Sequence, residues 1–132
     1  MPDAPVRTQR PVLVVDDDYD VRDAIADVLE IEGISAAFAG DGIEALQWLR
    51  DHPPPCLILL DWMMPRCDGA SFREVQKSDP VLARIPVVLL TADARIDEKM
   101  RALDVAACLR KPVDLERLSS VIRKYCDFDG AP

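Results

Sequence analysis

The sequence predicts an α/β protein with a doubly wound (βα)5 fold, in which five parallel strands carry helices on both faces of the sheet. Two observations lead to this fold class. Short apolar runs alternate five times with stretches whose apolar residues follow helical spacing. Three of these runs are apolar throughout, as parallel strands buried on both faces should be. Right-handed crossovers between five such strands favour the order 2-1-3-4-5.

The predicted strands are the apolar runs of the chain, of which the second is the weakest. They lie at residues 12–15, 34–39, 56–60, 86–90 and 105–109. In this strand order, the ligand site lies beyond the carboxyl ends of strands 1 and 3, where the order reverses.

The first two predicted helices have recognisable ends. Asp20 is a candidate N-cap of helix 1, and Gly33 can end it in a left-handed conformation. Asp41 is the predicted N-cap of helix 2, and three prolines at 53–55 force an extended linker after it. The inward-facing residues at helical spacing are Val21, Ile25, Val28 and Leu29 in helix 1, and Ala45, Leu46 and Leu49 in helix 2.

The last three predicted helices differ in strength. Helix 3 spans 71–78, with Phe72 and Val75 on one face, and residues 93–103 form a weaker helix with a mostly polar face. Asp114 is the predicted N-cap of helix 5, which carries basic residues near its negative end. The inward-facing residues of helix 5 are Leu115, Leu118, Ile122 and Tyr125.

Length and charge limit the domain organisation and the function classes. The chain has 132 residues, enough for one domain, which we place at 11–126 between an arm at 1–10 and a tail or linker start at 127–132. The net charge of −8 argues against direct binding to nucleic acid or to an anionic membrane surface. No apolar run reaches membrane-spanning length, and the first residues lack the apolar segment of a signal peptide.

The four cysteines show no metal-binding spacing. Cys56, Cys67, Cys108 and Cys126 form no C-x-x-C pair, and His52 is the one histidine, so we do not expect a zinc site. Cys56 and Cys108 lie in apolar runs and are interpreted as small core residues. We expect reduced thiols, which together with the missing export signal indicate the cytoplasm.

Polar side chains stand where four of the predicted strands end. Asp16 and Asp17 follow strand 1, Asp61 follows strand 3, Thr91 follows strand 4 and Lys111 follows strand 5. The fold would bring all of them to one edge of the sheet. Grouped carboxylates need a cation, and their hard oxygens suit Mg²⁺. One carboxylate can then act as a nucleophile and form an aspartyl phosphate, while the metal and the lysine neutralise the phosphoryl oxygens.

The segments VLVVDDD, LILLDWMMPRCDG, LLTA and RKP together resemble the receiver domains of bacterial two-component response regulators. The resemblance runs from about Pro11 to Tyr125 and implies a flavodoxin-like fold. It also implies that a histidine kinase or phosphotransfer protein is the phosphoryl donor and that Mg²⁺ or Mn²⁺ is the cofactor. The domain would catalyse only its own phosphorylation and dephosphorylation, so it would not be an enzyme, and its output would be a change in protein–protein contacts.

The resemblance gives roles to the acidic positions. Asp61 matches the phosphoacceptor, and Asp16 and Asp17 match the pair that organises the metal together with it. Met63 matches the position whose backbone carbonyl binds the metal. Met63 and Asp93 also match positions that tune the lifetime of the phosphorylated form. Since a thioether orients water poorly, the sequence suggests slow self-dephosphorylation.

The resemblance also covers the residues near the phosphoryl group. Thr91 matches the switch hydroxyl, Ala92 belongs with it to the phosphate-contacting and switch positions, and Lys111 matches the phosphate-contacting lysine, followed by a cis peptide before Pro112. Cys108 stands where the family usually has Tyr or Phe, so the usual aromatic switch does not carry over. The output partner, which the sequence does not identify, would bind the face formed by strand 4, strand 5 and helix 5. A receiver that acts as a binding module without phosphorylation is the alternative within the family.

Two other interpretations start from the acidic run itself. An Asp-x-Asp after an apolar strand, here Asp16 and Asp18, resembles haloacid-dehalogenase-type phosphohydrolases, but Asp20 stands where that family has Thr or Val. The alternating carboxylates also resemble a calcium loop. That loop would need a glycine at Val21 and a bidentate glutamate at Asp27. The phosphohydrolase interpretation also leaves the DWMMP segment unexplained, and a strand, not a helix, precedes the proposed calcium loop.

Overall fold

A computed structural model describes residues 10–64, 66–92 and 104–126 of the chain. Its sheet has five parallel strands in the order β2-β1-β3-β4-β5, which confirms the predicted topology. The strands are β1 (Val12–Val15), β2 (Ala36–Ala39), β3 (Leu57–Asp61), β4 (Val87–Thr91) and β5 (Ala107–Arg110). Strands β2 and β5 begin two residues later than the predicted starts at 34 and 105.

Four helices lie in the described part of the chain. They are α1 (Tyr19–Glu32), α2 (Gly42–Asp51), α3 (Gly69–Ser78) and α4 (Leu115–Cys126), with a 3₁₀ turn at Leu82–Arg84. The predicted helix at 93–103 lies outside the described residues, so α4 denotes the helix that the sequence predicts as the fifth. Among these helices, none is both long and apolar enough to cross a bilayer.

The sheet carries a hydrophobic core on each face. Alternate residues of a strand point to opposite faces, so Val12 and Val14 pack with α1 and α4, whereas Leu13 and Val15 pack with α2 and α3. All residues of β1, β3 and β4 are buried. Burial on both faces explains why these three strands have continuous apolar sequences and why the edge strand β2, which is partly exposed, is the weakest run.

Aspartates cap all four described helices, although one predicted cap is wrong. Asp18, not Asp20, caps α1, because its side chain accepts a hydrogen bond from the Asp20 N–H at 2.9 Å and Asp20 already lies within the helix. Helix α3 begins at Gly69, two residues earlier than predicted, because Asp68 caps it. The predicted caps Asp41 and Asp114 are confirmed, as is the left-handed Gly33 at the end of α1.

Two predicted core residues are exposed. Val75 and Leu115 keep 45% and 46% of their surfaces in solvent. On α3 the buried face instead includes Arg73 and Gln76, because these side chains satisfy backbone carbonyls of neighbouring loops. Arg73 donates to the Asp104 carbonyl at 2.7 Å and to Gln76 Oε1 at 2.8 Å. The Gln76 amide in turn donates to the carbonyls of Leu82 and Ile85.

The expectation that all thiols are reduced is wrong. Cys56, at the start of β3, and Cys126, at the end of α4, form a disulfide with a Cα–Cα distance of 5.5 Å, within the normal range. The two cysteines lie 70 positions apart in sequence, so their spacing gave no sign of the pairing. Cys108 is buried, as predicted, and neither it nor the partly exposed Cys67 takes part in this disulfide.

We expect reduction of this disulfide to lower the free energy of unfolding by about 2–4 kcal/mol, because the bridge closes a long loop in the unfolded chain. The measurement is urea unfolding of the wild type and of Cys126→Ser, each with and without reductant. Cys126→Ser should be insensitive to reductant, whereas Cys67→Ser, the matched control, should keep the sensitivity of the wild type. Four titratable thiols in the unfolded, unreduced wild type would contradict the bridge.

Candidate functional site

The polar residues at the strand ends meet at one edge of the sheet, as predicted. Asp16 directly follows β1, Asp61 is the last residue of β3, Thr91 is the last residue of β4 and Lys111 directly follows β5. Because the strands are parallel and in register, their carboxyl ends lie side by side. The edge is largely shielded from water, since Asp16, Asp61 and Thr91 are all buried.

Three carboxylates converge at this edge. Asp16, Asp17 and Asp61 each offer one oxygen, and these oxygens all lie within 4.8 Å of one another. Asp16 and Asp61 are buried, whereas Asp17 is exposed and opens the cluster to solvent. Hard oxygen ligands at this spacing, with one side open to water, fit Mg²⁺ or Mn²⁺, which retain several waters when bound.

One ammonium group lies between the two buried carboxylates. Lys111 Nζ is 3.0 Å from Asp16 Oδ2 and 3.2 Å from Asp61 Oδ1. Burial by itself would lower the pKa of Lys111, but its hydrogen bonds and charge pairing with Asp16 and Asp61 raise that pKa above its usual value. Lys111 therefore remains positively charged at neutral pH.

The surroundings of Asp61 disfavour its ionised form. Burial, and then the nearby negative charge of Asp16, raise the pKa of Asp61 above its usual value, although Lys111 and the Met63 N–H act in the opposite direction. One lysine thus does not balance the negative charge of the cluster. A bound divalent cation would supply the missing positive charge and favour the ionised form of Asp61.

The 62–68 loop connects Asp61 to α3. The Trp62 N–H donates to the Leu90 carbonyl at 3.0 Å, and the Met63 N–H donates to Asp61 Oδ1 at 3.3 Å. Met63 is 70% exposed, while the neighbouring Met64 packs against the core. The backbone of Met63 is thereby held at the cluster while its side chain lies at the rim.

The remaining predicted site residues fall into three groups. The Lys111–Pro112 peptide is cis, as the resemblance implied. Cys108 is buried in β5 and packs in the core on the α2 and α3 side of the sheet. Ala92 is exposed directly after β4, and Asp93 lies outside the described residues.

Sequence reasoning missed a second group of polar contacts, between the 62–68 loop and the start of α2. Arg66 Nε donates to Asp41 Oδ2 at 2.5 Å, and the Gly42 N–H donates to the Cys67 carbonyl at 3.1 Å. Burial would raise the pKa of Asp41, but the hydrogen bonds from Arg66 and from the Glu44 N–H lower it below its usual value. Asp41 was predicted as a helix cap, and no sequence signal linked it to a residue 25 positions away.

The competing interpretations of the acidic run find no geometric support in the described residues. Asp18 is exposed and serves as the N-cap of α1, so it does not join the cluster as a second catalytic acid. Asp20 lies inside α1 and likewise stands apart from the cluster, which excludes the alternating ligand set of a calcium loop.

Comparison with known proteins agrees with this geometry. Residues 12–123 match the family model of the response regulator receiver domain. The chain is 35% identical over 121 residues to the phosphate regulon transcriptional regulatory protein PhoB of Klebsiella pneumoniae, which covers 87% of this chain and 52% of that protein. The chain thus spans about half the length of the curated relatives it matches.

Two solved structures share the fold over nearly the whole chain. A putative response regulator from Chloroflexus aurantiacus superposes with a TM-score of 0.82 at 25% identity, covering 91% of this chain and 99% of that one. The receiver domain of the Francisella response regulator 1452 superposes with a TM-score of 0.78 at 30% identity, covering 90% of this chain and 98% of that one. Since the matched family segment includes all five strands and every carboxylate of the cluster, this chain belongs to the response regulator receiver domain family.

Proposed function

We propose that this receiver domain accepts a phosphoryl group on Asp61 and transmits the signal through protein–protein contacts, without turning over a substrate. The observation that carries the proposal is the position of the Asp61 carboxylate, which ends a buried strand beside two other carboxylates and 3.2 Å from an ammonium group. A carboxylate in this setting is a nucleophile whose product would be stabilised by neighbouring positive charge.

The proposed reaction takes a phosphoryl group from the phosphohistidine of a sensor kinase or phosphotransfer protein. A carboxylate oxygen of Asp61 attacks phosphorus, the P–N bond breaks, and the imidazole nitrogen keeps the bonding electron pair. Because Asp61 Oδ1 already accepts hydrogen bonds from Lys111 and from the Met63 N–H, we expect Oδ2 to be the attacking oxygen. Lys111 remains close enough to contact the new phosphoryl oxygens.

The carboxylates of Asp16, Asp17 and Asp61 would hold Mg²⁺ or Mn²⁺, with the backbone carbonyl of Met63 as a further ligand. When bound, the cation would neutralise charge on the transferring phosphoryl group. Lys111 would offset the charge of Asp16 and Asp61 before the cation arrives, which limits their mutual repulsion in the unloaded protein.

The output surface is proposed to lie on β4, β5 and α4. Thr91 ends β4, and β5 pairs with β4 along its length, so a movement of the threonine hydroxyl toward the phosphoryl group would reach this face directly. Cys108 in β5 lacks the aromatic ring that moves together with the threonine in the family. This difference favours a second candidate function, in which the domain binds its partner without phosphorylation. Two further predictions rest on the sequence alone: the 132 residues do not contact nucleic acid, and the protein is cytoplasmic.

Asp61→Asn should abolish phosphorylation by acetyl phosphate and Mg²⁺, because an amide oxygen is a poor nucleophile and forms no stable acyl phosphate. Intact-mass measurement should show one phosphoryl group on the wild type and none on the variant. Asp18→Asn, which changes an exposed carboxylate that caps α1, is the control and should still be labelled. Equal labelling of Asp61→Asn and wild type would contradict the assignment, and repeated turnover of phosphate esters would favour a phosphohydrolase.

Mg²⁺ should bind weakly without phosphate and should change the fluorescence of Trp62, which follows Asp61. Because the pKa of Asp61 lies above its usual value, protons should compete with the metal, and affinity should fall as the pH is lowered toward that pKa. At pH values above the pKa of Asp61, the affinity for Mg²⁺ should become independent of pH. Asp17→Ala should remove the response and Asp18→Ala should keep it. A response that survives in Asp17→Ala would place the metal elsewhere.

Met63→Asn should shorten the lifetime of the phosphorylated form, since asparagine can hold a water that the exposed thioether does not. The effect reaches about tenfold if the altered water positioning is worth ~1.4 kcal/mol. The measurement is the decay of phosphorylated protein at saturating Mg²⁺. Val81→Asn adds the same side chain at an exposed apolar residue before β4 and should not change the decay. An unchanged or longer lifetime in Met63→Asn would show that Met63 does not shield the site.

A further inference from the structure

We infer that Arg66 is a positioning residue, which ties the 62–68 loop to the start of α2 and so presents the Met63 backbone to the metal. This inference rests on the proposed function, because it concerns the same cation. It assigns a role to a side chain that does not itself belong to the carboxylate cluster.

The two ends of the loop are fixed by the sheet and by α3. At one end, the Trp62 N–H bonds to the Leu90 carbonyl of β4. At the other, the Gly69 N–H donates to the Trp62 carbonyl at 3.1 Å, and a Cβ on Gly69 would lie 3.0 Å from the Asp61 carbonyl oxygen. The Met63 side chain, at 70% exposure, contributes little anchoring. Met63 is held by its N–H bond to Asp61 Oδ1 and Met64 packs against the core, so Arg66 and Cys67 are the described loop residues that depend on contacts outside β3 and α3.

Arg66 supplies one such contact through a carboxylate that is itself immobilised. Its Nε donates to Asp41 Oδ2, and Asp41 is 4% exposed. The other oxygen, Oδ1, accepts the Glu44 N–H at 2.9 Å as the cap of α2, and Arg66 Nη2 lies 3.8 Å from Glu44 Oε2. Although the Arg66 side chain is 55% exposed, its partner is fixed by the helix end.

Cys67 supplies the second contact, directly next to the first. Its carbonyl accepts the Gly42 N–H at 3.1 Å. A Cβ at position 42 would lie 2.6 Å from Cys67 Sγ and 2.7 Å from the Cys67 carbonyl oxygen, so the glycine allows the two backbones to approach this closely. Two adjacent loop residues are thus bound to the N-cap and to the first residue of α2, which fixes the orientation of the loop as well as its distance.

The position of the loop affects the binding of the metal more than it affects the placement of the carboxylates. Asp16 and Asp61 are placed by their strands, whereas the Met63 carbonyl belongs to the loop and moves with it. Partners that orient a ligand typically change metal affinity by about 10–100-fold when they are removed. Charge alone predicts the opposite sign, because removing a cation near an acidic site strengthens the binding of another cation.

The test is Mn²⁺ binding measured from the electron paramagnetic resonance of the free ion, which does not depend on Trp62. Arg66→Ala should weaken binding about tenfold. Arg66→Lys, which keeps the charge, should recover part of the affinity. Arg50→Ala removes an exposed arginine at the other end of α2 and should bind as the wild type does. At saturating Mg²⁺ the initial phosphorylation rate of Arg66→Ala should return to that of the wild type, which a general loss of structure would not allow.

A backbone variant tests the second contact. Gly42→Ala should weaken Mn²⁺ binding, because its methyl group would displace the Cys67 carbonyl, whereas Gly40→Ala, whose added Cβ would have no neighbour closer than 3.6 Å, should not. Binding by Arg66→Ala as tight as the wild type, or tighter, would overturn the inference. If Asp17→Ala abolishes binding in the same assay, only the positioning role fails. If Asp17→Ala also binds normally, the proposed metal site itself is wrong.

Discussion

Lys111 places a single ammonium group against two buried carboxylates, 3.0 Å from Asp16 and 3.2 Å from Asp61. Removing these carboxylates from water is costly unless positive charge is close, and the exposed Asp17 adds a third negative group. Burial, and then the charge of Asp16, raise the pKa of Asp61 although Lys111 acts in the opposite direction, so the lysine offsets only part of this cost. The same imbalance that would destabilise an ordinary protein interior makes the edge suitable for a divalent cation and for phosphoryl chemistry.

Contacts that hold the fold together lie away from this edge. The Cys56–Cys126 bridge joins the residue before β3 to the last residue of α4. Glu32, the last residue of α1, accepts hydrogen bonds from Ser119 and Arg123 of α4, and those two bonds lower its pKa below the usual value. These links join α1 to α4 and α4 to the sheet. Because they lie away from the carboxyl end of β3, they place no further charge next to Asp61.

Two connections extend from β3 toward other parts of the domain. Through the 62–68 loop, Arg66 and Cys67 contact the start of α2. Through α3, buried Arg73 contacts the carbonyl of Asp104, a residue with a positive φ of 54° that precedes β5. The loop is therefore in contact with α2, and α3, which follows the loop, is in contact with the segment before β5.

Local sequence rules were sufficient for much of this structure. The apolar runs predicted every strand of the sheet, and the order of strands followed from their parallel crossovers. Asp41 and Asp114 were correct as caps, because capping depends on residues two or three positions apart. The cluster at the sheet edge was also predictable, since a parallel sheet brings the carboxyl ends of its strands to one side whatever their separation in sequence.

The tertiary structure alone decided the contacts between residues that no periodic rule connects. The pairing of Cys56 with Cys126, the burial of Arg73 with Gln76 in place of Val75, and the exposure of Leu115 all depend on which surfaces the chain brings together. The pair formed by Arg66 and Asp41 is of the same kind. The sequence by itself determined which residues the strands deliver to the edge, because that follows from local hydrophobicity. Which side chains contact these strand-end residues and fix their positions depends on distances in the folded chain. Hydrophobic and helical patterns in the sequence do not encode those distances.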